Sequence, residues 1–457
     1  MRAWQVCALA AGGGPAVELD DMIMVSVDDH LCEPPDMWEK HLPAKWQDKA
    51  PKLIRKDGAD LWSYEGRLMP NIGVNAVAGR VPEEYGMEPS ALDQMRPGAY
   101  DVDARIDDMN ATGMLGSICF ASVPGFVGQL YNAPKDKQQA LAMLMAYNDW
   151  HIEEWCGKYP GRFIPLSLPV LFDPELGAAE IRRCARKGCH AVSLPDNPIA
   201  LGYKSFHDAA WEPVWQACVE ENVTVCLHIG SGTQVSLQDT NGPAEILISS
   251  LPVTLYNVAT ELVFSEFIRR HDDLKFCLTE GGAGWIPYFL ERVDYTYEHH
   301  HRWTKLDLGK GRLPSDIFRE HILACFIDDK VGIRERDLIG IDNLAWEADY
   351  PHSDTTWPHT AEKLWESFQG GDLTDEEIGK ITHGNAMKWF NYDPFKYIPR
   401  DQATVGALRA QATHVDVSLV SHNRGKPPSD FKKGHATILD IVTQMSSALA
   451  SVSVKSQ

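Results

Sequence analysis

Positive charge is scarce in this 457-residue chain: 43 Lys and Arg stand against 64 Asp and Glu, a formal charge of −21. The acidic excess is spread along the chain and not gathered in blocks, which argues against nucleic acid or an anionic membrane surface as partner. No apolar run approaches the length needed to cross a bilayer, so no membrane span is expected. The opening stretch MRAWQVCALAAGGG has one Arg and a short apolar patch, a poor secretory signal, and Met22 and Met24 stand just before the first regular pattern. Residues 1–21 are accordingly expected to be a disordered extension. Ten cysteines are present, none in a CxxC pair, and Cys119, Cys226, Cys277 and Cys325 lie in apolar runs. They read as buried thiols of a soluble cytoplasmic protein and not as a disulfide framework. The first strand is followed by neither GxGxxG nor GxxxxGK[ST], which weighs against a doubly wound dinucleotide or P-loop sheet.

What the chain does have is rhythm. Short apolar or β-branched runs recur at 25–31, 116–125, 162–170, 189–197, 224–232, 275–284, 323–328 and 343–354, each ending in Gly, Pro, Asp or His. Helix-like segments lie between them at 103–114, 137–159, 174–188 and 206–222. Eight strands alternating with helices, with 44% apolar residues to build a core, predict an α/β fold of the (β/α)8 TIM-barrel type. The barrel is expected over 22–393, with a polar, Pro- and Gly-rich insertion at 39–100 above the first strand, placed to act as a lid. A C-terminal extension covers 394–457, in which 436–452 has the pattern of an amphipathic helix suited to a neighbouring subunit.

In such a barrel the chemistry collects at the C-terminal ends of the strands. The first strand ends in Asp28, Asp29 and His30, with Glu33 three residues on; alternation puts Asp28 and His30 on one face and Asp29 on the other. The fifth strand ends in His228, the sixth in Glu280, and the eighth in Asp349, followed by His352 and Asp354. Imidazoles and carboxylates from four distant segments converge only if the sheet closes, and together they suit a metal ion. Asp28, His30, His228 and Asp349 make one site with room for water; Glu33, Glu280 and His352 are the further donors that would extend it to two. Glu33 reads equally as a loop anchor, and His352 as a loop residue beyond the strand end. Oxygen and imidazole ligands suit Zn, Mn or Fe alike.

These motifs resemble the amidohydrolase-related superfamily, in the branch of aminocarboxymuconate-semialdehyde decarboxylase and its hydrolase relatives. The resemblance runs from about Val25 to Asp393, through Asp28-Asp29-His30, His228 in CLHIG, the stretch 270–294, Asp349 in EADYPH and the closing segment 381–393. It implies that His228 and Asp349 are metal ligands and that the protein is an oligomer, either of this chain or with a related barrel subunit. Two departures stand out: Glu280 occupies the place of a histidine often assigned to proton transfer, and Glu33 adds a carboxylate. The fourth strand ends in SLPDN without the lysine of carbamate-bridged dinuclear relatives.

The activity this implies is a metal-dependent hydrolase or non-oxidative decarboxylase of a small organic acid or amide. Asp349 serves as ligand and general base, Glu280 as acid or base, and His228 and the Asp28–His30 pair retain the metal. A dinuclear Fe or Mn/Fe oxygenase and a non-catalytic barrel subunit are the alternatives. Arg292 is a candidate for holding a substrate carboxylate, with Trp285, Trp303 and Trp357 as pocket walls; core packing and a structural ion pair are the competing readings. The His299-His300-His301 tract falls on a helix, where its rings diverge, and reads as a solvated or lid-facing segment.

Overall fold

The computed structural model describes residues 17–72, 76–86, 89–233, 235–237, 239–422, 424, 434–441 and 443. In chain order its strands are β1 (Met24–Leu31), β2 (Lys52–Lys56), β3 (Ala59–Tyr64), β4 (Arg67–Ile72), β5 (Pro89–Ser90), β6 (Met114–Ala121), β7 (Phe163–Ile164), β8 (Ala191–Leu194), β9 (Thr224–His228), β10 (Lys275–Thr279), β11 (Ile322–Phe326) and β12 (Leu344–Trp346). Strands β2 to β5 form an antiparallel sheet of their own within the segment read as an insertion. Between β4 and β5, Val77 and Ala78 donate their N–H groups to the Pro351 carbonyl beyond β12 at 2.9 and 3.1 Å.

The other strands are all parallel, in the orders β1-β6-β7 and β8-β9-β10-β11-β12. A bridge between Ser167 and Val192 joins the two sheets at one seam. At the other seam Asp349 N–H donates to Asp28 C=O at 2.8 Å and His30 N–H to Tyr350 C=O at 2.7 Å, so the eight strands form a closed ring. Helices connect successive strands, among them Val102–Thr112, Lys137–Trp150, Pro174–Ala185, Glu212–Glu220, Thr254–Phe264 and Ile286–Thr304. Asp101, Asp136 and Asp173 cap three of them through first-turn N–H groups. The helix expected from residue 206 begins at Glu212 instead, because Pro213 lacks the N–H of a helix interior and is tolerated only in a first turn.

Period-two burial explains the layers. On β9 to β12, Cys226, Cys277, Cys325 and Ala345 fill the inside of the ring, while Val225, Leu227, Phe276, Leu278 and Trp346 face the helices. The thiols are small enough for the crowded interior, and all nine described cysteines are buried and unpaired. Ala386, Trp389 and Phe390 of the closing segment pack onto this interior cluster.

One stretch departs from the expectation that nothing is apolar and long enough to cross a membrane: Ala244–Phe264 is 21 residues long and contains 18 consecutive residues of mean hydropathy 1.4. Here it is two helices, Ala244–Ser250 and Thr254–Phe264, parted at Pro252, and Leu255, Val258, Ala259, Leu262 and Val263 are buried in the core. Each large aliphatic side chain so buried stabilises the fold by roughly 1.5–3 kcal/mol. Ile246, Ile248 and Val253 of the same stretch are exposed.

Residues 1–16 of the extension expected to be disordered lie outside the described residues. Its remainder is folded: Val17 N–H donates to Asp375 at 2.9 Å, and Leu19–Asp21 forms a 3-10 turn. After the barrel, Val420 pairs with the Gly79–Val81 backbone, and Ile438 and Leu439 donate to Gly242 and Thr240 at 3.0 and 2.8 Å. Residues 442 and 444–452 of the expected docking helix lie outside the described residues.

Candidate metal centre

Four strand ends build the site. On β1, Ser26 pairs with Ser117 and Asp29 with Cys119, so three steps on β1 span two on β6: a β-bulge with one extra residue. The bulge changes the phase of the strand. Val25 and Val27 pack inside the ring, yet Asp28 and His30 face the site, and Asp29 turns outward. On β9, His228 lies two residues after Cys226 and shares its inward face; past β12, Glu347 and Asp349 continue the face of Ala345. Glu280 follows β10 with φ of 64°, and Asp349 has φ of 50°, left-handed conformations that cost a non-glycine residue about 1–3 kcal/mol.

The donors are close and dry. His30 Nε2 lies 3.4 Å from Asp28 Oδ1 and 3.2 Å from Asp349 Oδ1. His228 Nε2 lies 3.3 Å from Asp28 Oδ2, 3.1 Å from Glu280 Oε2 and 3.3 Å from His30 Nε2. His228 Nδ1–H donates to the Ile229 carbonyl at 2.6 Å, which turns Nε2 toward the cluster, the ring atom an imidazole held in this way offers to a metal. Asp28, His30, His228 and Asp349 are all buried, and Glu280 is 16% exposed.

Electrostatics calls for a cation at this point. Both oxygens of Asp28 and of Asp349, with His30 Nδ1 and His352 Nε2, are buried without a hydrogen-bond partner. Such orphaned groups are costly unless an ion satisfies them. Burial pushes Asp28 up to about 7 against the pull of His228. Asp349 is raised by burial and then by the Glu280 and Asp28 charges. Burial opposes a charge on His228, but Asp28 and Glu280 outweigh it and hold the imidazole well above its ordinary range. Asp28, His30, His228 and Glu280 bring ligand atoms within 4.8 Å of one another, and His30, Asp349 and His352 form a second group of the same kind. The donor set fits a divalent ion with oxygen and nitrogen ligands.

The remaining sequence candidates separate. Glu33 is not in either group: its carboxylate accepts from Ser122 N–H and Val123 N–H at 3.1 and 2.9 Å and so anchors the loop after β6. Asp29 accepts from Ser26 and Ser117 hydroxyls and from Tyr350 N–H, with the buried Arg105 guanidinium 4.0 Å away. His352 stacks on His30 with ring centroids 3.6 Å apart and places Nδ1 3.0 Å from Asp349 Oδ1. The diverging rings of His299, His300 and His301 stay on the helix surface, over Tyr295, Trp303 and Tyr297.

A cavity of about 170 Å³ opens beside Glu280, with Ile229, Leu251 and Phe326 and the carboxylates Glu347, Asp328 and Asp354 in its lining. No Lys or Arg lines it among the described residues. Arg292, expected to hold a substrate carboxylate, is instead exposed on its helix over the Tyr295 ring at 5.3 Å. Nor do the expected tryptophan walls reach the cavity. Trp357 is buried beneath Arg96 and donates to the Asp108 carbonyl, Trp303 is exposed, and Trp285 donates to the Gly281 and Gly282 carbonyls, bracing the turn behind Glu280. Glu347 is the site residue that sequence reading passed over, although Ala345, Glu347 and Asp349 alternate visibly in LAWEAD.

Comparison with known proteins agrees with this fold. Gamma-resorcylate decarboxylase of Rhizobium sp. (strain MTP-10005) is 24% identical over 334 residues, 69% of this chain and 93% of that protein. An amidohydrolase of Mycobacterium avium subsp. paratuberculosis K-10 superposes with a TM-score of 0.60 at 18% identity, over 80% of this chain and 99% of its own. The manganese-bound 5-carboxyvanillate decarboxylase of Novosphingobium aromaticivorans superposes with a TM-score of 0.53 at 21% identity, over 65% and 84%. The amidohydrolase family profile matches residues 53–392, and with that match the chain belongs to the amidohydrolase family.

Proposed function

We propose that this protein is a metal-dependent, non-oxidative decarboxylase of a small aromatic carboxylic acid. The observation that carries the reading is the buried group of Asp28, His30, His228 and Asp349 at the strand ends, in which both carboxylates lack hydrogen-bond partners and lie 3.2–3.4 Å from the imidazole Nε2 atoms. The decarboxylase relatives, one with manganese bound, support the reaction class. Asp28, His30, His228 and Glu280 would hold the ion, with Asp349, 3.2 Å from His30 Nε2, as a further ligand. When bound, the ion supplies a positive charge that orients a carboxylate and stabilises negative charge as the C–C bond breaks. Ile229, Leu251 and Phe326 offer an apolar wall for a ring and exclude water. The bond to the carboxyl carbon breaks, carbon dioxide leaves, and the ring carbon takes a proton; Asp349 is the buried carboxyl placed to carry it, with Glu280 next in line.

The test is carbon dioxide release from hydroxybenzoates by manganese-loaded enzyme, under argon and under air. Equal release in both supports the reading. Release of an amine or alcohol from amides or esters instead would make the protein a hydrolase. The second group, His30, Asp349 and His352, favours a second reading, a two-ion centre. Two redox-active ions per chain together with oxygen consumption would move the assignment to an oxygenase.

A further inference from the structure

Glu280 is an unusual residue to find at its position, because a glutamate gains nothing from a left-handed backbone that glycine adopts freely. Its φ of 64° is nevertheless what turns its carboxylate back toward His228, 3.1 Å away. The turn is held from several sides. Trp285 Nε1 donates to the carbonyls of Gly281 and Gly282 at 2.9 and 3.1 Å. Gly281 lies so close to Leu255 that a Cβ there would sit 2.5 Å from its methyl group. The N–H of Glu280 itself has a single side-chain acceptor, Oε2 of Glu347, at 3.1 Å. Glu347 is buried, is held in turn by the Cys325 thiol at 2.6 Å, and stands two residues before Asp349 on the same face.

We propose that Glu347 is a positioning residue of the metal centre: by accepting the Glu280 N–H it holds the turn in which Glu280 faces His228 and the ion. One carboxylate thereby ties the end of β10 to the exit of β12, so that the Glu280 and Asp349 ligand positions are fixed relative to each other. The inference rests on the metal-centre reading above. It assigns Glu347 an effect on the ion that passes through Glu280 and not through direct ligation.

Manganese titration of the full chain by calorimetry, with electron paramagnetic resonance of the bound ion, tests it. Glu347→Ala should weaken binding by about tenfold or more, as loss of a residue that orients a ligand does. Glu347→Gln keeps a carbonyl acceptor for the same N–H and should bind within about threefold of wild type with its resonance signature restored. Glu280→Ala should lose as much as Glu347→Ala, and the double variant should be no more than about twofold worse than Glu280→Ala alone, because the two changes remove one interaction. Losses that multiply in the double variant would make Glu347 a ligand in its own right and overturn the proposal; so would a Gln variant as weak as the Ala variant. Should Glu347→Ala fail to fold, Glu347→Asp, one methylene short of the N–H, must show the same loss, and wild-type binding there overturns the proposal equally. Wild-type protein that takes up no manganese overturns the metal-centre reading itself, whereas normal wild-type binding with an unaffected Glu347→Ala overturns only the role of Glu347.

Discussion

The backbone N–H of Asp349 donates to the carbonyl of Asp28 at 2.8 Å. Two carboxylates 321 positions apart in sequence are thereby joined at the seam where the ring closes, with His30 Nε2 between them at 3.4 and 3.2 Å. The seam is closed by backbone groups while the ligand atoms belong to side chains, so the ligands should be separable from the fold by mutation.

His228→Ala is expected to lower bound metal and activity together while circular dichroism and the unfolding midpoint stay near wild type, since the surrounding core is formed by Cys226, Cys277 and Cys325. Full metal occupancy in that variant would remove His228 from the ligand set. Asp349→Asn keeps one oxygen donor but loses charge and basicity. Metal should weaken partly while turnover falls by on the order of 10²-fold or more at full loading; near wild-type turnover there would transfer the proton-carrying role to Glu280.

Asp28 and Asp29 are neighbours with opposite duties. Asp28→Asn should lose metal and regain part of its rate when excess metal is supplied. Asp29→Ala should leave a buried Arg105 without its carboxylate and destabilise the fold by about 3–5 kcal/mol. Urea unfolding of the two variants, each measured without metal, decides the matter: equal stability would mean that the outward face of β1 does not depend on Asp29.

Burial pushes Glu33 up to about 7 from 4.5, against the two N–H groups it accepts. A carboxyl whose value is raised on folding contributes stability that is complete below the unfolded value and is lost as pH rises through the folded one. Wild-type stability should therefore fall by about 3 kcal/mol between pH 4.5 and 7 relative to Glu33→Gln, which does not titrate. Metal-free unfolding curves of both proteins at pH 4.5 and 8 measure the difference. A parallel pH dependence in the two would show that Glu33 is ionised at no cost in the folded loop.

Arg292→Ala is expected to leave kcat/KM within about twofold of wild type and stability within about 0.5 kcal/mol, as for an exposed side chain away from the cavity. A large rise in KM would place a substrate against this helix instead of beside Glu280.

The sequence by itself determined the parallel α/β order and most of the strand ends that carry ligand-type residues. Both are written in local rules: period-two alternation, Gly and Pro punctuation, and the tendency of a barrel to collect chemistry at one end of its strands. His228 and Asp349 were legible for that reason, each standing on the inward face of its own strand or just past it. Tertiary structure decided what depends on pairing between distant segments. The bulge between Ser26 and Asp29 exists only against the register of β6, and without it unbroken alternation from Val25 and Val27 would turn Asp29 and not Asp28 inward. Glu33 became a loop anchor because the Ser122 and Val123 amides arrive beside it from β6. Arg292 left the site because the rotation of its helix is set by burial of Phe289, Leu290 and Val293, which turns the guanidinium outward. Glu347 gained its partner only when β10 and β12 were brought to either side of β11, since a hydrogen bond across 67 residues has no signature in the local pattern of either strand.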